Sequence, residues 1–134
     1  MNTATAVADR ANRCRLLLVE DHADTRDMLV RLLSHRFDVL VAGCYETAMT
    51  AAASDPGAPP DLLITDVGLP GGRDGLALMR ELRDRHHIPG IAVTGYEVVS
   101  AEDFRAAGFV RWLTKPIRFD ELLKAIDDAC AANV

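Results

Sequence analysis

Short apolar runs alternate with longer amphipathic stretches along this chain, and the alternation predicts its secondary structure. Five short runs rich in Leu, Ile, Val or Phe are typical of strands, and they cover residues 16–19, 37–42, 62–65, 91–94 and 109–114. After each run, apolar residues recur at the spacing of a helix face. The pattern therefore predicts five strands, each followed by a helix.

Strict alternation of strand and helix favours a parallel sheet with helices on both faces, because each crossover helix returns the chain to the same edge. The predicted fold class is a doubly wound α/β fold with a five-stranded parallel sheet. The first and third strands are almost entirely aliphatic, which is typical of central strands. Asp38 and Arg111 in the second and fifth strands are tolerated at sheet edges, so the predicted strand order is 2-1-3-4-5.

The composition limits the number of domains and the classes of function. The 134 residues fit one domain, which we place at residues 14–134 after a flexible N-terminal tail of residues 1–13 without hydrophobic periodicity. With 15 basic and 20 acidic side chains the formal net charge is -5, so direct nucleic-acid binding is disfavoured. The sequence has no long apolar run or signal-like leader, which predicts a cytoplasmic protein without a membrane segment.

The three cysteines are Cys14, Cys44 and Cys130. Their odd number and the lack of a C-x-x-C motif favour reduced thiols, as in a cytosolic protein. We therefore expect each of them to be a small core or surface residue without a partner.

Polar side chains stand where four of the predicted strands end. In an open parallel sheet these ends meet at one edge, beside the crevice in which such sheets bind ligands. The residues at these ends are Glu20, Asp21, Asp66, Thr94 and Lys115. Each alone has an ordinary explanation as a solvated residue, a helix cap or part of a turn. Their coincidence on four strands favours a common site.

The charges of these five side chains indicate what the site binds. Three carboxylates and one ammonium leave a charge of about -2, which a divalent cation would cancel. Oxygen ligands favour Mg²⁺ over Zn²⁺, for which the sequence has no suitably spaced His and Cys residues. A carboxylate beside Mg²⁺ suits phosphoryl transfer, in which the carboxylate attacks phosphorus. Asp66 is the best-placed nucleophile.

Four segments together resemble a known family. They are residues 18–21 (LVED), 61–70 (DLLITDVGLP), 92–95 (AVTG) and 114–117 (TKPI). This set resembles the receiver domain of two-component response regulators, and the resemblance extends over residues 15–131. It implies a flavodoxin-like fold with the same strand order. It also implies a signalling module that catalyses only its own phosphorylation and dephosphorylation, not an enzyme that acts on other substrates.

The resemblance gives each residue at the strand ends a role. It implies that Asp66 accepts the phosphoryl group and that Thr94 and Lys115 bind the phosphoryl oxygens. The implied Mg²⁺ ligands are Glu20 through water, Asp21, Asp66 and the carbonyl of Gly68. Trp112 takes the place of an aromatic residue that turns inward on phosphorylation, and Tyr96 lies beside the path of attacking water.

The resemblance also implies partners. The expected phosphodonor is a histidine kinase or a histidine phosphotransfer protein, docked on Ala23 and Arg26 of the first helix and on residues 116–117. Only residues 131–134 follow the last predicted helix, so we expect a single-domain regulator that acts on a downstream protein target through helix four, strand five and helix five. A phosphorelay intermediate, a phosphate sink and a receiver excised from a hybrid kinase also fit.

Two other functions remain open at this point. A phosphatase of the haloacid-dehalogenase type also uses an aspartyl nucleophile, but it needs a second carboxylate two residues on, where this chain has Gly68. A pseudo-receiver would only dock partners, although all five site residues are present here. The loop of residues 70–75 is one residue longer than is usual in the family, and its path is not predicted.

Overall fold

A computed structural model describes residues 13–95 and 97–132 of the chain. Strands and helices alternate throughout these residues, as the hydrophobic pattern predicts. The strands are β1 (Arg15–Val19), β2 (Asp38–Ala42), β3 (Leu62–Asp66), β4 (Gly90–Thr94) and β5 (Phe109–Thr114). The helices are α1 (Ala23–Leu33), α2 (Tyr45–Ala52), α3 (Gly75–His86), α4 (Ala101–Ala107) and α5 (Phe119–Ala132).

The five strands form one parallel sheet in the order β2-β1-β3-β4-β5, which confirms the predicted topology. The strands that contain Asp38 and Arg111 are the two edge strands. The almost entirely aliphatic β1 and the fully buried β3 are inner strands with a neighbour on each side. A charged residue is tolerated at an edge because part of its surroundings is water, whereas an inner strand is covered on both faces.

Each face of the sheet has its own hydrophobic core, and alternate residues of β1 supply the two cores. Leu17 and Val19 face α2, α3 and α4, where Met79 and Phe104 are among the buried residues. Residues 16 and 18 face α1 and α5 in the second core. The helix stripes seen in the sequence are the surfaces that cover the sheet, so packing fixes the orientation of every strand end.

Polar caps set the helix starts closest to the strand ends. The His22 ring accepts a hydrogen bond from the Thr25 N–H at 3.4 Å at the start of α1. Asp74 accepts from the Ala77 N–H at 2.9 Å and begins α3. The caps satisfy amide groups that a helix leaves unpaired at its first turn.

Two of the three cysteines form a disulfide, so the prediction of three reduced thiols is wrong for Cys14 and Cys130. Their Cα atoms lie 6.5 Å apart although 116 positions separate them in sequence. The pairing joins the residue before β1 to the last turn of α5, where both pack against the core under α1 and α5. Spacing along the chain carries no sign of such a contact, because only the folded topology brings the two ends together. Cys44 is free, as predicted.

The predicted tail is only partly covered by the structure, since residues 1–12 lie outside the described residues. Arg13, its last position, is held by the fold: its guanidinium donates hydrogen bonds to the carbonyl oxygens of Ser34, Arg36 and Phe37. Over the described part of the chain, each helix is too short or too polar to cross a membrane. The cytoplasmic location stays a prediction.

Candidate functional site

The carboxyl ends of β1, β3, β4 and β5 bring the predicted site residues to one edge of the sheet. Asp66 is the last residue of β3, where it pairs with Val93, and Thr94 is the last residue of β4. Glu20 directly follows β1, and Lys115 directly follows β5. The parallel pairing therefore places side chains from four strands around one crevice, as the topology requires.

Three carboxylates form a compact cluster in this crevice. Glu20, Asp21 and Asp66 each offer one oxygen atom, and these three atoms lie within 4.8 Å of one another. Glu20 and Asp66 are only 4% and 6% exposed, whereas Asp21 is open to solvent. Two of the three carboxylates are thus buried, and the third is in contact with solvent.

Lys115 is the cation that faces this cluster. Its Nζ lies 3.3 Å from Oδ1 of Asp66 and 4.0 Å from Oε1 of Glu20. The Lys115 side chain is 42% exposed, so its ammonium bridges the buried carboxylates and solvent. One ammonium among three carboxylates leaves about two negative charges uncompensated, as the sequence predicts.

Two carboxylate oxygens in the cluster have no hydrogen-bond partner among the described residues. They are Oε2 of Glu20 and Oδ2 of Asp66, and both are buried. Leaving a buried charged oxygen without a donor is costly, so these two atoms are suited to contact a positively charged ligand. A set of carboxylate oxygens with one side open to water fits a hard divalent cation such as Mg²⁺.

The ionisation of Asp66 reflects its surroundings. Burial raises the pKa of Asp66 above its ordinary value of 3.8, the Lys115 ammonium opposes the rise by its charge and hydrogen bond, and the Glu97 carboxylate adds to it. Burial thus makes ionisation of Asp66 more costly than that of an exposed carboxyl group, and added positive charge lowers this cost. This is the electrostatic behaviour expected of a cation site.

Glu97 is a fourth carboxylate at the site, and the sequence analysis missed it. Its Oε1 accepts a hydrogen bond from the Gly95 N–H at 3.0 Å. Its Oε2 lies so near Gly68 that a Cβ atom built on that glycine would be 3.1 Å away. The only sign of this role in the sequence is that an acidic residue stands three positions after Thr94. That position does not reveal that the loop turns the Glu97 side chain back over the crevice.

The structure gives less information on three predicted site residues, which are Thr94, Gly68 and Tyr96. The Thr94 hydroxyl donates a hydrogen bond to the Glu97 carbonyl at 3.4 Å and thus has a partner in the loop after β4. Gly68 lies two residues beyond Asp66, and the role of its carbonyl as a metal ligand stays a prediction. Tyr96 lies outside the described residues.

Trp112 is half-buried on β5, where it pairs with Ala92 of β4. Its ring stacks on Phe104 of α4 with centroids 5.1 Å apart and an interplanar angle of 16°. The Arg105 guanidinium lies 5.4 Å from the centre of the same ring. The indole is therefore held by α4, the helix that follows the loop containing Glu97.

The site opens into a groove of about 600 Å³ beside α1. Its lining includes Glu20, Thr25, Met28, Leu32, Lys115, Pro116 and Ile117. Arg26, predicted as a docking residue, is not among the lining residues: its Nη1 donates to the carbonyl oxygen of Glu20 at 3.1 Å and lies close to Gly43, and its docking role stays a prediction. The groove surface on α1 is thus formed by Thr25, Met28 and Leu32 rather than by Arg26.

Comparison with known proteins identifies the family that shares these features. The family model described as the response regulator receiver domain matches residues 16–127. A protein of Leptolyngbya boryana described as an uncharacterized 14.6 kDa protein in the sodA1 3' region is 33% identical over 123 residues, which cover 87% of this chain and 90% of that protein.

A longer relative and a solved structure agree with this match. The DNA-binding transcriptional activator DevR/DosR of Mycobacterium tuberculosis is 34% identical over 121 residues, covering 89% of this chain but 55% of that protein. The crystal structure of a response regulator receiver protein from Pseudomonas putida superposes with a TM-score of 0.77 at 29% identity, covering 87% of this chain and 97% of that one. The chain thus spans little more than half of the longer relative.

Proposed function

The chain belongs to the receiver-domain family of response regulators, and we propose that it accepts a phosphoryl group on Asp66 in a reaction that requires Mg²⁺. The observation that carries the proposal is the environment of Asp66. It is a buried carboxylate with one oxygen 3.3 Å from the Lys115 ammonium and the other without a hydrogen-bond donor among the described residues. Such a group gains from positive charge and is poised to attack an electrophile.

The chemistry assigns separate tasks to the residues at the strand ends. An Asp66 oxygen attacks the phosphorus of the donor, the new O–P bond forms, and the P–N bond of a donor phosphohistidine breaks. The imidazole leaves with the electron pair of that bond. Lys115 neutralises a phosphoryl oxygen throughout, and the Thr94 hydroxyl turns from the Glu97 carbonyl to donate to another.

Mg²⁺, when bound, would supply the positive charge that neutralises the acceptor and the phosphoryl oxygens together. The residues that would hold it are Glu20 through water, Asp21, Asp66 and the Gly68 carbonyl. The clustered oxygens of the three carboxylates and the two unpartnered buried oxygens fit this role.

Incubation with acetyl phosphate and Mg²⁺, followed by intact-mass measurement, tests the proposal. We expect one phosphoryl adduct on the wild type, none on Asp66→Asn, and an unchanged adduct on Asp84→Asn, whose carboxylate is exposed on α3. Steady hydrolysis of acetyl phosphate without an adduct would favour the phosphatase alternative. An adduct on Asp66→Asn would refute the assignment of the acceptor.

We further propose that the phosphodonor is a histidine kinase or a histidine phosphotransfer protein that docks in the groove beside α1. The groove is continuous with the site, because Glu20 and Lys115 belong to its lining. Met28 is 52% exposed there, an apolar surface suited to a helix that carries the phosphohistidine.

A charge placed in the groove separates docking from chemistry. Met28→Glu should slow transfer from a phosphorylated histidine phosphotransfer domain and leave labelling by acetyl phosphate unchanged. Val41→Glu is the matched control, because Val41 is a similarly exposed apolar residue (44%) on the far edge strand β2. Equal slowing of both reactions by Met28→Glu would contradict the docking site.

The proposed reaction changes the conformation of the chain, and the changed surface acts on a downstream protein target. Phosphorylation changes the charge at the ends of β3, β4 and β5, and the surface formed by α4, β5 and α5 adjoins these ends. Trp112 and its partner Phe104 link β5 to α4 within that surface. We therefore propose that this surface carries the signal.

A further inference from the structure

Glu97 is folded back over the site although it belongs to an exposed loop. One carboxylate oxygen accepts the Gly95 N–H at 3.0 Å, and the other lies against Gly68. These two glycines follow Thr94 by one residue and Asp66 by two. The Glu97 carboxylate therefore spans the crevice between the ends of β3 and β4, next to the proposed acceptor.

The Gly95 N–H is a donor suited to an anionic ligand. It is a main-chain N–H fixed at the carboxyl end of a strand, and such groups commonly bind phosphoryl oxygens because they need no reorganisation. In the unphosphorylated protein this donor is already occupied by a carboxylate of this chain. A phosphoryl group on Asp66 would need the same position and the same donor.

We propose that Glu97 is an internal anion that holds the place of a phosphoryl oxygen in the unphosphorylated protein and must leave when Asp66 is phosphorylated. The proposal rests on the proposed function of Asp66 as acceptor. It assigns to Glu97 a restraining role: the carboxylate competes with the phosphodonor and slows the modification.

Electrostatics makes the two occupants exclude each other. The Glu97 carboxylate is near enough to Asp66 to raise its pKa, so its charge is felt at the acceptor. Phosphorylation changes the acceptor charge from -1 to about -2, which increases the repulsion. Two anions that need one N–H donor in one crevice are not accommodated together.

Displacement of the Glu97 carboxylate from the Gly95 N–H also explains how phosphorylation affects parts of the fold outside the site. The Thr94 hydroxyl donates to the Glu97 carbonyl at 3.4 Å, so the same residue holds both the Thr94 side chain and the Gly95 N–H. When Glu97 leaves, both donors become available to the phosphoryl group. Val99, two residues later, packs against the core beneath α4, so a shift of this loop reaches that helix.

Substitutions at Glu97 test the proposal through the rate of labelling. In Glu97→Ala, labelling by acetyl phosphate with Mg²⁺ should be roughly three- to tenfold faster than in wild type, because a partly screened negative charge and a competing acceptor are both removed. Glu97→Gln keeps an acceptor oxygen without the charge and should give an intermediate rate. Glu102→Ala is the matched control, since Glu102 is an exposed carboxylate in the first turn of α4, and its rate should equal that of wild type.

The amide signal of Gly95 in an NMR spectrum gives a second readout that a general effect on stability would not produce. It should shift in unphosphorylated Glu97→Ala, and in wild type it should shift on addition of beryllofluoride with Mg²⁺. If wild type is labelled and Glu97→Ala is labelled no faster, the inference is overturned while the proposed function stands. If neither protein acquires the adduct, both the proposed function and this inference are wrong.

Discussion

Gly75 lies directly against the main-chain carbonyl of Asp66, where α3 begins. A Cβ atom at Gly75 would collide with that carbonyl oxygen, which also accepts the Thr65 hydroxyl at 2.9 Å. The Gly75 N–H donates to the Val67 carbonyl at 2.7 Å and leaves little freedom to retreat. The absence of a side chain at this position therefore fixes how closely α3 approaches the proposed acceptor.

We expect Gly75→Ala to lower the free energy of unfolding by about 1–3 kcal/mol, because the collision is with main-chain atoms and not with a flexible side chain. Urea denaturation followed by circular dichroism measures the loss. Gly57→Ala is the control, since its Cβ atom would meet only the Asp55 carboxylate at 3.6 Å, and it should change stability by no more than about 0.5 kcal/mol. Equal effects of the two substitutions would contradict the close approach.

Asp66→Asn should stabilise the metal-free protein in a pH-dependent way. Because the pKa of Asp66 is raised on folding from 3.8, the folded state holds its proton more tightly than the unfolded state. That contribution is fully present below the unfolded pKa and is lost as the pH rises through the folded pKa. Asparagine does not ionise, so its advantage over aspartate should grow with pH across this window. Urea denaturation in EDTA between about pH 3 and pH 7 measures it, and a constant difference would contradict a raised pKa.

Mg²⁺ should raise the melting temperature of wild type more than that of Asp21→Asn. A ligand that binds only the folded state stabilises it in proportion to its affinity, and loss of one carboxylate weakens the proposed site. Thermal melts across a range of Mg²⁺ concentrations measure the shift. Asp24→Asn, an exposed residue of α1 outside the carboxylate cluster, is the control. Equal shifts for wild type and Asp21→Asn would remove Asp21 from the metal site.

The fold was predictable because local patterns determine it in this chain. Alternating strand and helix signals allow few arrangements other than a parallel sheet, and Asp38 and Arg111 distinguish the edge strands from the inner ones. The carboxylate cluster was predictable for a related reason. Each of its members stands at a strand end, and parallel strands end together.

Features that depend on distant parts of the chain could not be predicted in this way. The partner of Cys14 is 116 positions away, and only the arrangement of β1 against α5 brings the two sulfur atoms together. Glu97 reaches the site through the path of an irregular loop, and loop paths carry no periodic signal. Arg26 lies on the expected helix, but its side chain bonds the Glu20 carbonyl and is not among the residues that line the groove.

Reduction of the Cys14–Cys130 disulfide should lower the free energy of unfolding by roughly 2–4 kcal/mol, because the bond restricts an unfolded chain over 116 positions. Thermal melts with and without dithiothreitol measure the change. Cys14→Ser should melt like the reduced wild type and should not respond to dithiothreitol. Cys44→Ser is the control, because Cys44 is free, and it should keep the response of wild type. A wild type whose melting is insensitive to dithiothreitol would contradict a stabilising disulfide.

Trp112, the only tryptophan, should report the change at the site through its fluorescence. With Mg²⁺ at +2 the cluster and Lys115 sum to zero, and a phosphoryl group of about -2 on Asp66 leaves about -1, which attracts the Thr94 hydroxyl. That motion vacates volume beside β5, and for Trp112 to fill it the indole must leave its stack on Phe104, 5.1 Å away. Beryllofluoride with Mg²⁺ should therefore shift the emission of wild type, shift that of Thr94→Ala much less, and leave Asp66→Asn unchanged. A rise in melting temperature with beryllofluoride would show that the mimic binds. If the wild-type spectrum is unchanged under those conditions, Trp112 stays stacked on Phe104. The signal would then have to leave the site through the loop that carries Glu97.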